Sequence, residues 1–135
     1  MKRRILAIFA FLLALVFVVL VLGVASIYLR PAKIDYGSSD IYSETEIKSA
    51  VEVVKDEFGE FEGCKLLSLS YAGDKDSLKE FDYNPDYDEA IVINSGFISP
   101  LFGGGGWNSH ELYTWHFILM RKDKGPWTLL TYGYC

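Results

Sequence analysis

Leu112-Tyr113-Thr114-Trp115-His116-Phe117-Ile118-Leu119-Met120 and Trp127-Thr128-Leu129-Leu130-Thr131-Tyr132 face each other across Lys122-Asp123-Lys124-Gly125-Pro126, and this stretch decides the fold. Two runs rich in aromatic and β-branched residues around a charged turn containing Gly predict a β-hairpin. Tyr113, Trp115 and Phe117 fall on one side of the first run; Leu112, Thr114, His116, Ile118 and Met120 fall on the other. Bulky residues on both faces place this strand in the middle of a sheet.

Working outward, Glu89-Ala90-Ile91-Val92-Ile93-Asn94-Ser95 supplies another strand, which runs on through Phe97 and Ile98. Cys64-Lys65-Leu66-Leu67-Ser68-Leu69-Ser70-Tyr71 reads as a strand of imperfect alternation, with Cys64 and Leu66 toward the core. Asp74 to Glu80 carries a weak helical turn, and Ser99 to Ser109 reads as a loop. The clearest helix signal is Ser43-Glu44-Thr45-Glu46, a capping box in which the hydroxyl of Ser43 and the carboxylate of Glu46 each satisfy an end amide. Ile47, Ala50, Val51, Val54 and Phe58 then recur at helical spacing, so one helix over about 43–58 presents one apolar stripe, and Gly59 is placed to end it. The expectation is an α+β domain over 43–135, with one helix packed on a four-stranded antiparallel sheet. Pro31 to Tyr42 reads as a polar tether before it.

At the start, Met1-Lys2-Arg3-Arg4 precedes Ile5 to Leu29, where no side chain is charged. As a helix that run spans roughly 37 Å, enough for a hydrocarbon core of about 30 Å. A buried core helix would need a polar face, and none exists. The segment 1–30 is therefore an N-terminal membrane anchor or a signal peptide. The run is longer than a signal-peptide core, while Gly23-Val24-Ala25 offers small residues for cleavage, which would give a secreted product beginning near Ala25. Lys2, Arg3 and Arg4 before the span outnumber Arg30 and Lys33 after it. A single-pass protein of the cell membrane, N-terminus cytoplasmic and C-terminal domain extracellular, follows from that excess.

Residues 31–135 carry all 18 acidic side chains and 9 of the 13 basic ones, a net charge near −9. Such a domain repels nucleic acid and anionic headgroups, since both are bound through clustered Lys and Arg. The expected partners are the membrane itself, through 5–29, and an envelope protein or a small ligand.

The capped helix, Glu62-Gly63-Cys64, Asp88-Glu89-Ala90-Ile91-Val92 and the Trp115…Leu119…Arg121…Gly125…Trp127…Tyr132-Gly133-Tyr134 pattern resemble small, uncharacterised extracytoplasmic proteins of Gram-positive bacteria. Their domain is a cystatin-like or nuclear-transport-factor-like arrangement of one helix cradled by a curved sheet. The resemblance covers 41–134 and implies no catalytic residue. A cystatin-type inhibitor is not implied, because the chain contains no Gln and so lacks the Gln-x-Val-x-Gly loop.

Candidate chemistry is sparse. Asp82-Tyr83-Asn84-Pro85-Asp86-Tyr87-Asp88 alternates oxygen ligands as a calcium loop does. The EF-hand form, however, needs Gly and Glu where Tyr87 and Ile93 stand. Gly103-Gly104-Gly105-Gly106 lacks the Lys-Ser/Thr and the helix that a phosphate loop requires, and reads as a mobile strand connection. His110 and His116, six apart on a strand, sit about 20 Å from one another, which excludes a shared metal. No nucleophile, base and orienter occur together, so no catalytic residue and no cofactor is expected. Cys64 and Cys135 are either a disulfide or free thiols; a simple meander would hold their strands roughly 14 Å apart, too far for a bond.

The candidate binding residues are Trp107, Tyr113, Trp115, His116 and Tyr132. An open aromatic face around Trp107, Tyr113 and Trp115 would make the domain a membrane-tethered interaction module without catalysis. A pocket around His116 and Tyr132 would make it a small-molecule-binding or enzymatic cone.

Overall fold

A computed structural model describes residues 1–81 and 86–134. The chain divides into two units, Met1–Pro31 and Ala32–Cys135. The first is a single helix, α1 (Lys2–Leu29), with no buried residue. It is long and apolar enough to cross a membrane, a test that a signal sequence also meets.

The second unit is α+β. Its elements are β1 (Lys33–Asp35), α2 (Glu44–Phe58), β2 (Lys65–Tyr71), α3 (Asp74–Phe81), β3 (Glu89–Ile98), β4 (Leu112–Arg121) and β5 (Thr128–Tyr134). The strands form one five-stranded sheet in the order β1-β2-β3-β4-β5. The sheet is therefore mixed, not four-stranded and antiparallel. β1 runs parallel to β2, with Ile34 opposite Leu69, whereas every later pair is antiparallel. Parallel neighbours need a crossover, and α2 supplies it.

The segment expected to be a tether thus belongs to the domain. Ile34 packs on the core, while Lys33 and Asp35 lie exposed on either side of it. Three residues are too few for alternation to register in a sequence. Beyond β1, Asp74 at the start of α3 gathers the chain: it accepts from the Ser39 hydroxyl at 2.5 Å, the Asp40 amide at 2.8 Å and the Tyr71 hydroxyl at 2.7 Å. These bonds hold its carboxyl below the usual range. Tyr42 is buried and donates to the Ala90 carbonyl at 2.7 Å.

α2 forms as its sequence dictates. Ser43 and Glu46 close the capping box, with bonds of 3.2 and 2.8 Å. Ile47, Ala50, Val51, Val54 and Phe58 are all buried. Gly59 ends the helix in right-handed geometry, and the chain reverses instead at Gly63, whose φ is +73°. The core lies between this stripe and one face of the sheet: Leu69 and Tyr71 of β2, Ile91, Ile93 and Phe97 of β3, and Phe117 and Leu119 of β4. Each such side chain contributes about 1.5–3 kcal/mol on burial. A bulge between Leu66 and Ser68 explains the imperfect alternation of β2, since it lets Leu66 and Leu69 share the core face.

α3 packs along the first half of β3, where the buried Ser77 hydroxyl accepts from the Val92 amide at 3.1 Å. Cys64 is free and half-buried, and burial pushes its thiol pKa up. Cys135, and residues 82–85 of the expected calcium loop, lie outside the described residues.

Candidate functional site

The core face of β4 reads Tyr113, Trp115, Phe117, Leu119 and Arg121, set opposite Phe97, Ser95, Ile93, Ile91 and Glu89 of β3. Toward the β3–β4 connection this face becomes an aromatic cluster. Phe61, from the turn after α2, sits among Phe97, Trp107, Trp115 and Tyr132 at centroid distances of 5.8, 5.8, 5.8 and 5.2 Å. Trp115 stacks on Tyr132 at 5.5 Å with an interplanar angle of 13°. Trp107 lies 5.2 Å from Tyr113 and 5.4 Å from Trp115. Such ring pairs add roughly 0.5–1.5 kcal/mol each beyond their area.

Trp107 reaches this cluster through the shape of its loop. Gly103, Gly104, Gly105 and Gly106 all have positive φ, between 61° and 100°. The Trp107 amide donates to the Gly104 carbonyl at 3.0 Å, and a Cβ on Gly103 would stand 2.9 Å from the Trp107 carbonyl oxygen. The Ser99 hydroxyl braces the base of the loop, donating to the Asn108 carbonyl at 2.6 Å and accepting from the Glu111 amide at 2.8 Å. At the tip Phe102 is 91% exposed.

Between the glycine loop and the Phe61 turn lies a groove of about 690 Å³. Phe61, Trp107, Trp115 and Tyr132 form its wall, and Glu60 and Glu62 lie on its rim. Four of the five residues expected from the sequence, Trp107, Tyr113, Trp115 and Tyr132, are thus brought together. Tyr113 backs the wall by stacking on Phe97 at 5.4 Å. Sequence reasoning misses Phe61: one aromatic in a Glu-rich turn has no period to mark it.

His116 stands apart from this cluster. It projects from the other face of β4, opposite Asn94 of β3 and Gly133 of β5. Its Nδ1 and the Oδ1 of Asn94 are buried without a hydrogen-bond partner among the described residues. A second cleft, of about 430 Å³, opens over His116, Val92, Ile118 and Thr131 and is lined also by Asp76, Lys79 and Glu80. His110 lies exposed in the loop before β4 with φ +47°. Among the described residues no group of three His, Cys, Asp or Glu side chains is placed to hold a metal ion.

At the opposite end of the core face, Arg121 is 5% exposed yet charged. Its Nε donates to Glu89 at 2.6 Å, its guanidinium also pairs with Glu46, and it lies 4.2 Å over the Trp127 ring. The Trp127 indole N–H donates to the Glu46 carbonyl at 3.1 Å, and Lys124 pairs with Glu89 at 2.6 Å. The Arg121 hydrogen bond, aided by the Ser43 amide, pulls the Glu46 pKa down to about 2. Burial opposes the charge on Glu89, but the bonds from Arg121 and Lys124 outweigh it and hold its carboxyl below the usual range. This cluster clamps the start of α2 to the hairpin, and Glu89 also lines a small cleft of about 180 Å³ with Tyr42, Ser77 and Phe81.

Comparison with family models, with curated proteins and with solved structures finds no match to this chain.

Proposed function

We propose that this chain is a membrane-tethered binding module without catalysis. Residues 5–29 anchor it, 31–135 stand outside the cytoplasm, and the aromatic groove receives another envelope protein. The groove itself carries the reading: a wall of Phe61, Trp107, Trp115 and Tyr132, with Glu60 and Glu62 also lining it. Aromatic walls supply large, rigid contact area at small entropic cost, the property that concentrates Trp and Tyr at interaction surfaces. The excess of Lys2, Arg3 and Arg4 before the span supports the orientation.

Trp107→benzoylphenylalanine, irradiated in intact cells expressing the full chain, tests this reading. A discrete adduct is expected there and none from Lys48→benzoylphenylalanine on the exposed side of α2. Adducts from neither position, in folded protein at normal abundance, would sink it.

A second reading rests on the unpartnered Nδ1 of His116 and Oδ1 of Asn94 beneath the other cleft. Buried polar atoms without partners are uncommon and costly. A small ligand in that cleft would be felt as a shift of the His116 imidazole resonances on addition of cell-envelope metabolite extract; unmoved resonances would dismiss it.

A further inference from the structure

Sheet edges offer unpaired backbone groups to any extended chain, and proteins guard them with charges, proline or brevity. One edge here is guarded: β1 has three residues, and Lys33 and Asp35 are two of them. The other is not. β5, Thr-Leu-Leu-Thr-Tyr-Gly-Tyr, has seven residues with neither charge nor proline, and among the described residues it pairs only with β4. Leu130 and Tyr132 are each 45% exposed and Tyr134 is 75% exposed. The bulge between Ile118 and Leu119 confines the regular edge to Thr131–Tyr134, where pairing with Ile118–Trp115 is continuous.

The two clefts open on the two faces of this strand. Tyr132 lines both clefts; Thr131 and Gly133 face the His116 cleft, and Tyr134, which shares the face of Tyr132, reaches its margin. A chain hydrogen-bonded to β5 would send alternate side chains to one and then the other. The sheet face over Gly133 is open, since a Cβ there would meet nothing within 4 Å. The walls carry Glu60 and Glu62 on one side and Asp76 and Glu80 against Lys79 on the other. Four carboxylates against one ammonium, in a domain of net charge near −9, select a cationic occupant and disfavour a second copy of this chain.

We infer that β5 is an acceptor edge: a basic, extended segment of the partner protein adds to Thr131–Tyr134 as a sixth strand, its alternate side chains entering the two clefts. This rests on the binding-module reading above and names the mode and the chemistry of its partner.

The test uses the full chain in detergent micelles and a blocked peptide of alternating Lys and Val or Thr, compared with its Glu-for-Lys counterpart. Two further versions are N-methylated, each on a different alternate set of residues. The Lys peptide should bind, read by Trp fluorescence, and should slow amide exchange within 131–134; the Glu peptide should not. Methylating the set that faces β5 should weaken binding by roughly tenfold or more, the loss of one or more backbone hydrogen bonds. Methylating the outward set should change it little. Equal effects of the two sets, no protection of 131–134, binding of the Glu peptide or no binding at all would each overturn the sixth strand. So would sedimentation as a dimer that the peptide cannot compete away. A Trp107 adduct in cells alongside such a failure would leave the groove reading standing, whereas loss of both would remove both.

Discussion

Arg121→Met should be among the most damaging single changes in the domain. The side chain is 5% exposed, and its removal leaves Glu46 and Glu89, whose side chains are 27% and 20% exposed, facing a neutral surface. Removing one partner of a fully buried ion pair costs about 3–5 kcal/mol. Here the carboxylates retain some water, and Lys124 stays beside Glu89, so about 2–3 kcal/mol is the appropriate share. Loss of the cation over Trp127 adds roughly 0.5–1 kcal/mol, for a total near 3 kcal/mol. Against a domain stability of about 5–15 kcal/mol that is a large fraction. The assay is denaturant unfolding of the full chain in detergent, followed by Trp fluorescence across pH. Glu46 is depressed in the folded state from 4.5 to about 2. Its contribution is therefore complete above about pH 4.5 and is lost as pH falls toward 2, because the unfolded chain takes up the proton first. The native protein should weaken through that window, and Arg121→Met should weaken less steeply. A cost below about 1 kcal/mol at pH 7, or identical slopes between pH 4.5 and 2, would refute the reasoning.

Ser43→Ala removes the hydroxyl of the capping box and should cost about 1 kcal/mol in the same unfolding assay. Gly103→Ala meets both a φ of +68° and a carbonyl oxygen 2.9 Å away, so it should cost about 1–2 kcal/mol and shift Trp emission as Trp107 leaves the cluster. Phe61→Ala deletes the ring that touches Trp107, Trp115 and Tyr132, and should lower stability by about 2–3 kcal/mol and weaken peptide binding further than Arg121→Met does. Lys122→Cys, made in a Cys135→Ser background, places a thiol in the exposed β4–β5 turn; a membrane-impermeant maleimide should label it in intact cells well before the half-buried Cys64, and labelling only after lysis would reverse the proposed orientation.

Features written in neighbouring residues were legible. The capping box, the stripe from Ile47 to Phe58 and the two-sided character of β4 each follow from a local period, and all are present. The separation of Tyr113, Trp115 and Phe117 from His116 also followed from parity alone. What escaped depends on residues distant in sequence. β1 is strand only because β2 accepts it, and the chain at Ser39 is held by Asp74, 35 residues away. Arg121 lies at an inward position, but its partner Glu46 is 75 residues earlier, where the local sequence marks it only as a cap. The bulge at Leu67 blurred the alternation of β2 and so concealed that Leu69 and Tyr71 belong to the core.

The core face of β4 carries two different tasks along one line of alternate residues. At Arg121 it meets the first turn of α2 through Glu46; at Trp115 and Tyr113 it meets the turn beyond α2 through Phe61, and the glycine loop through Trp107. The two ends are about 22 Å apart along the helix and are joined by the packed layer of Val51, Val54, Ile93 and Phe117. Such a layer transmits unfolding, since its parts open together, but a lost ion pair at one end does not reshape rings at the other. Arg121→Met should therefore reduce the number of folded molecules while leaving the affinity of each unchanged. Phe61→Ala acts at the wall itself, where the wall supplies both stability and contact. If the groove is the binding surface, these two variants will separate stability from affinity; if Arg121→Met lowers affinity as much as Phe61→Ala, the ion cluster and not the aromatic wall shapes the surface that the partner meets.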